Sequence, residues 1–380
     1  MVYILKHFDT PLIWFSLESK GLEGISCKIL EQDFEKTELL PIGMQKSEGA
    51  LLSFLRSRAV PKGRGYIEAI LSSMGLRENN LMGILDTCMA LSLNDGYWVT
   101  KEGFEGKFSE YNLYDNDFSK PLSLIAYMGY GSIKKRGFTS SPEFTTTGML
   151  RKGWRKISGK TLLYKGGTEG ASNAGNEPYS EYYASQVARA MGLRYIEYTL
   201  AKWKGSVCSV CELFTDKATS YVPVYRFGEF DNILQIAAFL KDCGKDYYDD
   251  FADMMIFDAL IYNTDRHQGN FGLLVDAATN KPVSLAPIFD NGLGLFPYAV
   301  GNTLDDIKNY AKTKDSAFGV PFDDIAKEFI TKRHCEKLRK ILNFRFERDK
   351  NYNLPAARLK FLEGFLHFRA AELINISRQQ

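Results

Sequence analysis

Asn263-Thr264-Asp265-Arg266-His267-Gln268-Gly269-Asn270 is followed, about twenty residues later, by Pro287-Ile288-Phe289-Asp290-Asn291-Gly292. The first run sets a carboxylate, Asp265, and an amide, Asn270, five residues apart on one loop. The second adds a carboxylate, Asp290, ahead of Gly292 and between short apolar runs. Phosphoryl transfer needs one carboxylate to orient the attacking hydroxyl. It also needs a second carboxylate and an amide oxygen for divalent metal, and a lysine on the phosphates held by a glutamate. The plain structural alternatives are turn aspartates that cap backbone and a loop asparagine bonded to its own chain.

Outward from this core, residues 247–263 read as a helix with Phe251, Met254, Met255, Phe257, Leu260 and Ile261 on its apolar face. Residues 271–276 and 283–289 read as short strands. Upstream, 144–165 has the pattern of two short strands around a Gly-containing turn, ending in Thr161-Leu162-Leu163-Tyr164-Lys165. A lysine that closes an apolar strand serves a phosphate-binding cleft or simply faces water. Residues 178–191 read as a helix, with Pro178 near its start, Tyr183, Val187 and Met191 recurring every four residues and Gly192 past its end. Glu181 sits in its first turn, where the helix dipole alone favours a carboxylate. Strand-like runs follow at 194–200, 205–214 and 220–225, and 305–313, 323–344 and 355–378 are mostly helical. The stretch to about Leu40 reads as three strands, and Ala50 to Leu93 as helical. The segment SLNDGYW (92–98) closes that block with turn chemistry, and a Gly-rich connection puts a boundary near residue 135.

Asp265–Asn270 together with Asp290 resembles the HipA-like serine/threonine kinases; the D-R-H-x-x-N run is also shared with phosphoinositide kinases. The resemblance covers roughly residues 140 to 345. It implies an α+β, bilobal protein-kinase-like (HipA-like) fold, with a strand-rich N-terminal lobe carrying an extra subdomain and a mostly helical C-terminal lobe. The divisions expected are 1–135, 136–228 and 229–380. By the same resemblance, Asp265 is the catalytic carboxylate, Asn270 and Asp290 are the metal ligands, and Lys165 grips the nucleotide phosphates with Glu181 as its partner. His267 belongs to the catalytic loop, in a structural or a direct role. The loop over the phosphates falls on Thr145–Gly153, with Thr147, Gly148 and Lys152 as cofactor-binding candidates. Its two glycines, Gly148 and Gly153, depart from the G-x-G-x-x-G of ordinary protein kinases. The adenine-binding hinge falls on Glu212, Leu213 and Phe214. ATP and Mg2+ are the implied cofactors, and a protein serine or threonine hydroxyl, its own included, is the implied acceptor. A toxin-like role beside an antitoxin-like partner follows from family analogy alone.

Composition narrows the alternatives. The chain has 380 residues, 45% hydrophobic and 25% charged, which provides a large core and excludes wholesale disorder. A net charge of +2 gives no bulk attraction to nucleic acid, so direct nucleic-acid binding is not indicated. No apolar run reaches the roughly 18 residues of a membrane span, and Asp9 and Pro11 interrupt the first apolar stretch, unlike a signal peptide. Six sparse cysteines argue against a disulfide framework and for a reduced, cytoplasmic setting. The single C-x-x-C, Cys208 and Cys211, lacks the second pair that a zinc site needs, and reads as packed thiols. Two rival functions remain. A phosphoinositide or small-molecule kinase shares the D-R-H-x-x-N run, and a non-catalytic ATP-binding module would have no need of Asp265.

Overall fold

The computed structural model describes residues 1–379 other than 22–23, 60, 62, 134–136, 171–173 and 302. The boundary expected near residue 135 lies outside the described residues. The chain forms two compact units. The first is Met1–Tyr164 with Leu213–Val222 and Leu274–Val283; the second is Lys165–Glu212 with Pro223–Leu273 and Ser284–Gln380. The expected mixture of sheet and helix is what the structure shows.

The first unit opens with β1 (Val2–His7), β2 (Thr10–Ser19) and β3 (Ile25–Gln32). With β4 (Tyr97–Lys101) they form an antiparallel sheet in the order β3-β2-β1-β4, with Val2 opposite Ser16 and Tyr3 opposite Lys101. Burial alternates along β1, so one face turns Tyr3 and Leu5 inward. That face meets the helices α1 (Glu48–Ala59), α2 (Ile67–Ser73) and α3 (Leu81–Cys88) through Leu51, Leu55, Ile70, Leu71, Ile84 and Leu85. Strand β4 was not expected. It is buried on both faces, with Tyr97 and Val99 in one core and Trp98 in a second core with Leu93 and Phe108, so it lacks the alternation that marks a half-exposed strand. Next come α4 (Phe108–Tyr111), α5 (Lys120–Met128), and the neighbouring strands β5 (Lys152–Ile157) and β6 (Lys160–Gly166).

The segment SLNDGYW is the junction of this unit. Arg58, buried on α1, donates to both Asp95 carboxylate oxygens at 2.7 and 2.9 Å and to the Ala90 and Tyr97 carbonyls. Asp95 also accepts the Tyr97 amide. The Leu93 carbonyl accepts from Tyr114 and Thr215, and the Asn94 carbonyl accepts from the Tyr221 amide. One short turn thus ties α1, β4 and the segment Leu213–Val222 together. Gly96 is required because a Cβ there would lie 2.7 Å from the Phe8 ring.

The second unit contains α6 (Glu177–Met191), the antiparallel hairpin β7 (Tyr198–Trp203) and β8 (Ser206–Glu212), and a helical body. Strands β9 (Thr219–Pro223), β10 (Gly272–Asp276) and β11 (Pro282–Leu285) form a three-stranded sheet in the order β11-β10-β9. The helical body begins with α7 (Ile233–Cys243), which sequence reading passed over, although Asn232 caps it by accepting the Leu234 and Gln235 amides. Helix α8 (Lys245–Ile261) follows, and every residue from Phe251 to Ile261 is buried. Then come α9 (Leu304–Ala311), α10 (Phe322–Phe329), α11 (Lys332–Arg339) and α12 (Ala356–Arg378). The mostly helical stretch expected over 323–344 holds two helices. Thr331 adopts an extended conformation and forms a reciprocal cap with His334, which starts a new helix instead of continuing the old one. No helix among the described residues is long and apolar enough to cross a membrane.

Asp95→Ala leaves the Arg58 guanidinium buried without its carboxylate. It is expected to cost about 3 kcal/mol in urea unfolding, whereas Asp324→Ala, which removes an exposed pair with Lys327, changes stability by less than about 0.5 kcal/mol.

Candidate active site

The site is built on the loop that leaves α8. The helix stops at Tyr262, whose φ of 54° and ψ of 52° turn the chain out of the helix. Asp258, in the last turn of α8, accepts from Asn263 Nδ2 at 3.2 Å and from Arg266 at 2.9 and 3.1 Å. The Arg266 guanidinium is buried. It also donates to the Asn270 carbonyl at 3.1 Å, to the Phe289 carbonyl, and to Asn291 Oδ1 at 2.6 Å. One side chain thus fixes both ends of the Asp265–Asn270 loop and the Asp290 turn against the end of α8. Asn263 Oδ1 accepts the Asp265 amide, and Asn270 Nδ2 donates to the Asp265 carbonyl at 2.7 Å.

Lys165, at the end of β6, is the centre of the site. Its ammonium, 6% exposed, donates to Glu181 Oε1 and to Asp290 Oδ1, the latter at 2.5 Å. Glu181, on the first turns of α6, uses its other oxygen to accept the Asn291 amide at 2.7 Å. Asp290 is held at a φ of 55°, and its amide donates to the Tyr198 hydroxyl on β7 at 3.2 Å. Burial on its own would depress the lysine, but the Asp290 and Glu181 carboxylates reverse that and keep the ammonium above its usual range. Burial, and then the Asp290 charge, push the Asp265 carboxyl up; His267, Lys165 and Arg266 offset this in part. The Asp290 charge thus works against ionisation of Asp265, a repulsion that a cation would relieve.

The structure therefore gathers Lys165, Glu181, Asp265, Asn270 and Asp290 in the second unit. His267 is exposed and its ring Nδ1 accepts the Gly269 amide at 3.0 Å, a contact that shapes the loop. Sequence reading gave Arg266 no decided role and missed Asp258, Asn291 and Tyr198. It also missed Glu177, which accepts the Thr168 amide and the Tyr298 hydroxyl and so ties the residues after Lys165 to those after Asp290. Asp290 and Asn270 carry oxygen donors of the hard kind that suits Mg2+. Among the described residues, no group of three or more His, Cys, Asp or Glu could hold a metal alone. Cys208 and Cys211 lie on β8, and burial pushes the Cys211 thiol up to about 12, away from thiolate character.

The remaining candidates divide. Glu212 ends β8 in the second unit and is exposed. Thr147, Gly148, Lys152, Leu213 and Phe214 belong to the first unit. Lys152 is buried, and its ammonium donates to the Thr147 carbonyl at 2.8 Å, so it closes its own loop. Gly148 has a φ of +95°, and a Cβ there would collide with the Lys152 ammonium. Leu213 donates its amide to the Thr161 carbonyl, and Phe214 meets the Tyr221 ring edge-on. The loop is anchored from outside by Arg64, which donates to Glu143 at 2.6 Å and to the Lys152 carbonyl at 3.0 Å. The Gly65 amide adds a bond to the Gly148 carbonyl at 3.1 Å. Glu143 also accepts the Trp154 amide at 2.7 Å.

A family model for the HipA-like C-terminal domain matches residues 144–342, more than half of the chain. The chain belongs to this HipA-like family. The serine/threonine-protein kinase CtkA of Helicobacter pylori (strain J99) is 31% identical over 144 residues, 33% of this chain and 42% of that protein. The chain thus matches well under half the length of that curated relative. Among solved structures, the HipA, HipB and operator DNA complex of Shewanella oneidensis MR-1 aligns with a TM-score of 0.52 at 11% identity, covering 99% of this chain and 98% of the other. The fold is shared with that structure. The Helicobacter pylori proinflammatory kinase CtkA aligns with a TM-score of 0.47 at 18% identity over 60% of this chain and 93% of that one.

Burial pushes the Glu143 carboxyl up to about 7, with Arg64 and the Trp154 amide offsetting only part of the effect. The folded chain then holds a proton that the unfolded chain releases near its ordinary value of 4.5. This contribution to stability is complete below that value and is lost as the pH rises to about 7. Urea unfolding across this window is expected to show the downward slope in the wild type and to lose it in Glu143→Gln.

Proposed function

We propose that this chain is an ATP- and Mg2+-dependent phosphotransferase that acts on a serine or threonine hydroxyl of a protein. The observation that carries the reading is the Lys165 ammonium held at once by Glu181 and Asp290, in the unit that also presents Asp265 and Asn270. Membership of the HipA-like family and the partial likeness to a serine/threonine kinase support it.

In this reading Mg2+, held by Asp290 and Asn270, would offset the charge of the phosphates. Lys165 binds phosphate oxygens, and Glu181 keeps its ammonium charged and aimed. Asp265 accepts a hydrogen bond from the substrate hydroxyl, orients that oxygen in line with the γ-phosphoryl group and takes its proton as the new O–P bond forms and the P–O bond to the departing nucleoside diphosphate breaks. Arg266 bonds four partners on three segments and keeps the geometry fixed without touching substrate. An antitoxin-like protein partner belongs to the proposal by analogy with the Shewanella oneidensis complex of HipA with HipB.

The test is incubation with γ-labelled ATP and Mg2+, followed by intact-mass and peptide analysis of the chain and of a proteome extract. The wild type is expected to transfer phosphate. Asp265→Ala should lower the rate by roughly 100- to 10,000-fold while ATP still raises the melting temperature. Asp290→Ala should lose both transfer and the ATP-dependent stabilisation. Equal incorporation in wild type and Asp265→Ala overturns the role given to that residue, and none in the wild type overturns the function.

A further inference from the structure

A pocket of about 390 Å³ opens in the second unit on the side of α6 next to the face that carries Glu181. Asn176, Tyr179, Ser180 and Tyr183 follow one another at helical spacing along its first wall. Its second wall is the stretch from Leu295 to Gly301, which follows Asp290 in the chain. Its third is the start of α12, with Arg358 and Phe361.

The three walls are already fastened at the rim. Asn176 Nδ2 donates to the Pro297 carbonyl at 3.0 Å, Arg358 donates to the Phe296 carbonyl at 2.7 Å, and the Tyr183 hydroxyl donates to Asn353 at 3.1 Å. The pocket is therefore preformed. Its volume falls within the usual range for small-molecule sites. Measured in waters, it has room for about a dozen, which also suits an organic molecule of roughly 10 to 20 heavy atoms.

The chemistry of the lining selects the ligand. Polar and apolar surface line the pocket about equally, and among the described residues the lining holds one cation, Arg358, and no carboxylate. Burial lowers the pKa of Arg358, so its surroundings weaken its hydration, and a bound anion would restore what burial removed. A guanidinium set beside aromatic and aliphatic side chains is an arrangement that binds a carboxylate with an apolar body, and Ser180 offers a further polar contact.

We infer that this pocket is a regulatory site for a small amphipathic monocarboxylate whose aryl or alkyl body lies between α6 and the segment after Asp290. Binding there favours the arrangement in which α6 and that segment are docked. That is the arrangement in which Lys165 meets Glu181 and Asp290, so the ligand activates the site described above. The binding stands on the pocket alone; the activation rests on the proposed phosphotransferase reading.

The probe is hydrocinnamate, with hydrocinnamamide as its uncharged counterpart, read by calorimetry and thermal shift without ATP. Hydrocinnamate is expected to bind with a dissociation constant between about 0.1 and 5 mM. The amide and the variant Arg358→Met are expected to bind at least about tenfold more weakly. Arg358→Lys, which keeps the charge, should stay within about threefold, and Ser180→Phe, which fills the cavity, should abolish binding. No heat with folded wild type, equal binding of acid and amide, or unchanged binding in folded Ser180→Phe overturns the site. With binding established, a rise in phosphate transfer on adding hydrocinnamate, absent in Ser180→Phe, supports activation, and an unchanged or lowered rate overturns it. Absence of any transfer alongside intact binding refutes the phosphotransferase reading and leaves the pocket standing.

Discussion

A buried ammonium held by two carboxylates is the constraint on which the second unit depends. Lys165 is 6% exposed and bonds both Glu181 and Asp290, residues brought in by α6 and by the turn after β11. Burying a charge without partners is costly, and removing one partner from a buried pair typically costs several kcal/mol. The three residues therefore have to arrive together. Glu181 passes the constraint on by accepting the Asn291 amide, and Asn291 passes it to Arg266. From Arg266 it reaches Asp258, the last turn of α8, and the loop that carries Asp265 and Asn270. The chain of contacts runs from one lysine to every proposed functional group in the unit through hydrogen bonds, most of them buried and several charge-assisted.

That network resembles a site under tension more than a stability device. Buried ion pairs contribute little to stability on balance, because desolvation offsets most of the attraction. What they supply here is position. Burial first, and then the Asp290 charge, push the Asp265 carboxyl up, so ionising both carboxylates together is costly. A divalent cation and a polyanionic ligand would relieve that repulsion while using Lys165 as counter-charge. The backbone at Asp290, at a φ of 55°, adds a conformation that a non-glycine residue adopts at a cost, and such positions gather at functional sites.

The residues of the candidate site were legible where the chemistry sits within a few positions of sequence. Asp265 and Asn270 share one loop, Asp290 precedes a glycine, and Glu181 lies near the start of a helix that Pro178 and Gly192 mark, in its second turn rather than the expected first because the helix begins at Glu177. Their supports were not legible, because each works across a long separation. Tyr198 meets Asp290 and Tyr298 meets Glu177 only through the fold, and no local pattern marks either. Arg266 reads as a loop cation in sequence, yet it is among the largest fully buried side chains. In the fold, the amphipathic helices and the first three strands followed their periodicity. Strand β4 did not, because both its faces are covered and alternation is lost. The segment SLNDGYW was distinctive but mute in sequence, since its carbonyls and Asp95 are read by Arg58, Tyr114, Thr215 and Tyr221 from four other places in the chain.

The central claim is that the Lys165 cluster exists to hold a metal-bound triphosphate. Calorimetric titration of Mg2+ and ATP together into the wild type and into Lys165→Met, with melting curves to confirm that both are folded, tests it most directly. The account predicts saturable binding to the wild type that weakens at least about tenfold in the variant, the loss of a charge-assisted phosphate contact. Binding of equal strength in both proteins, or none in the wild type at millimolar ATP, would contradict it.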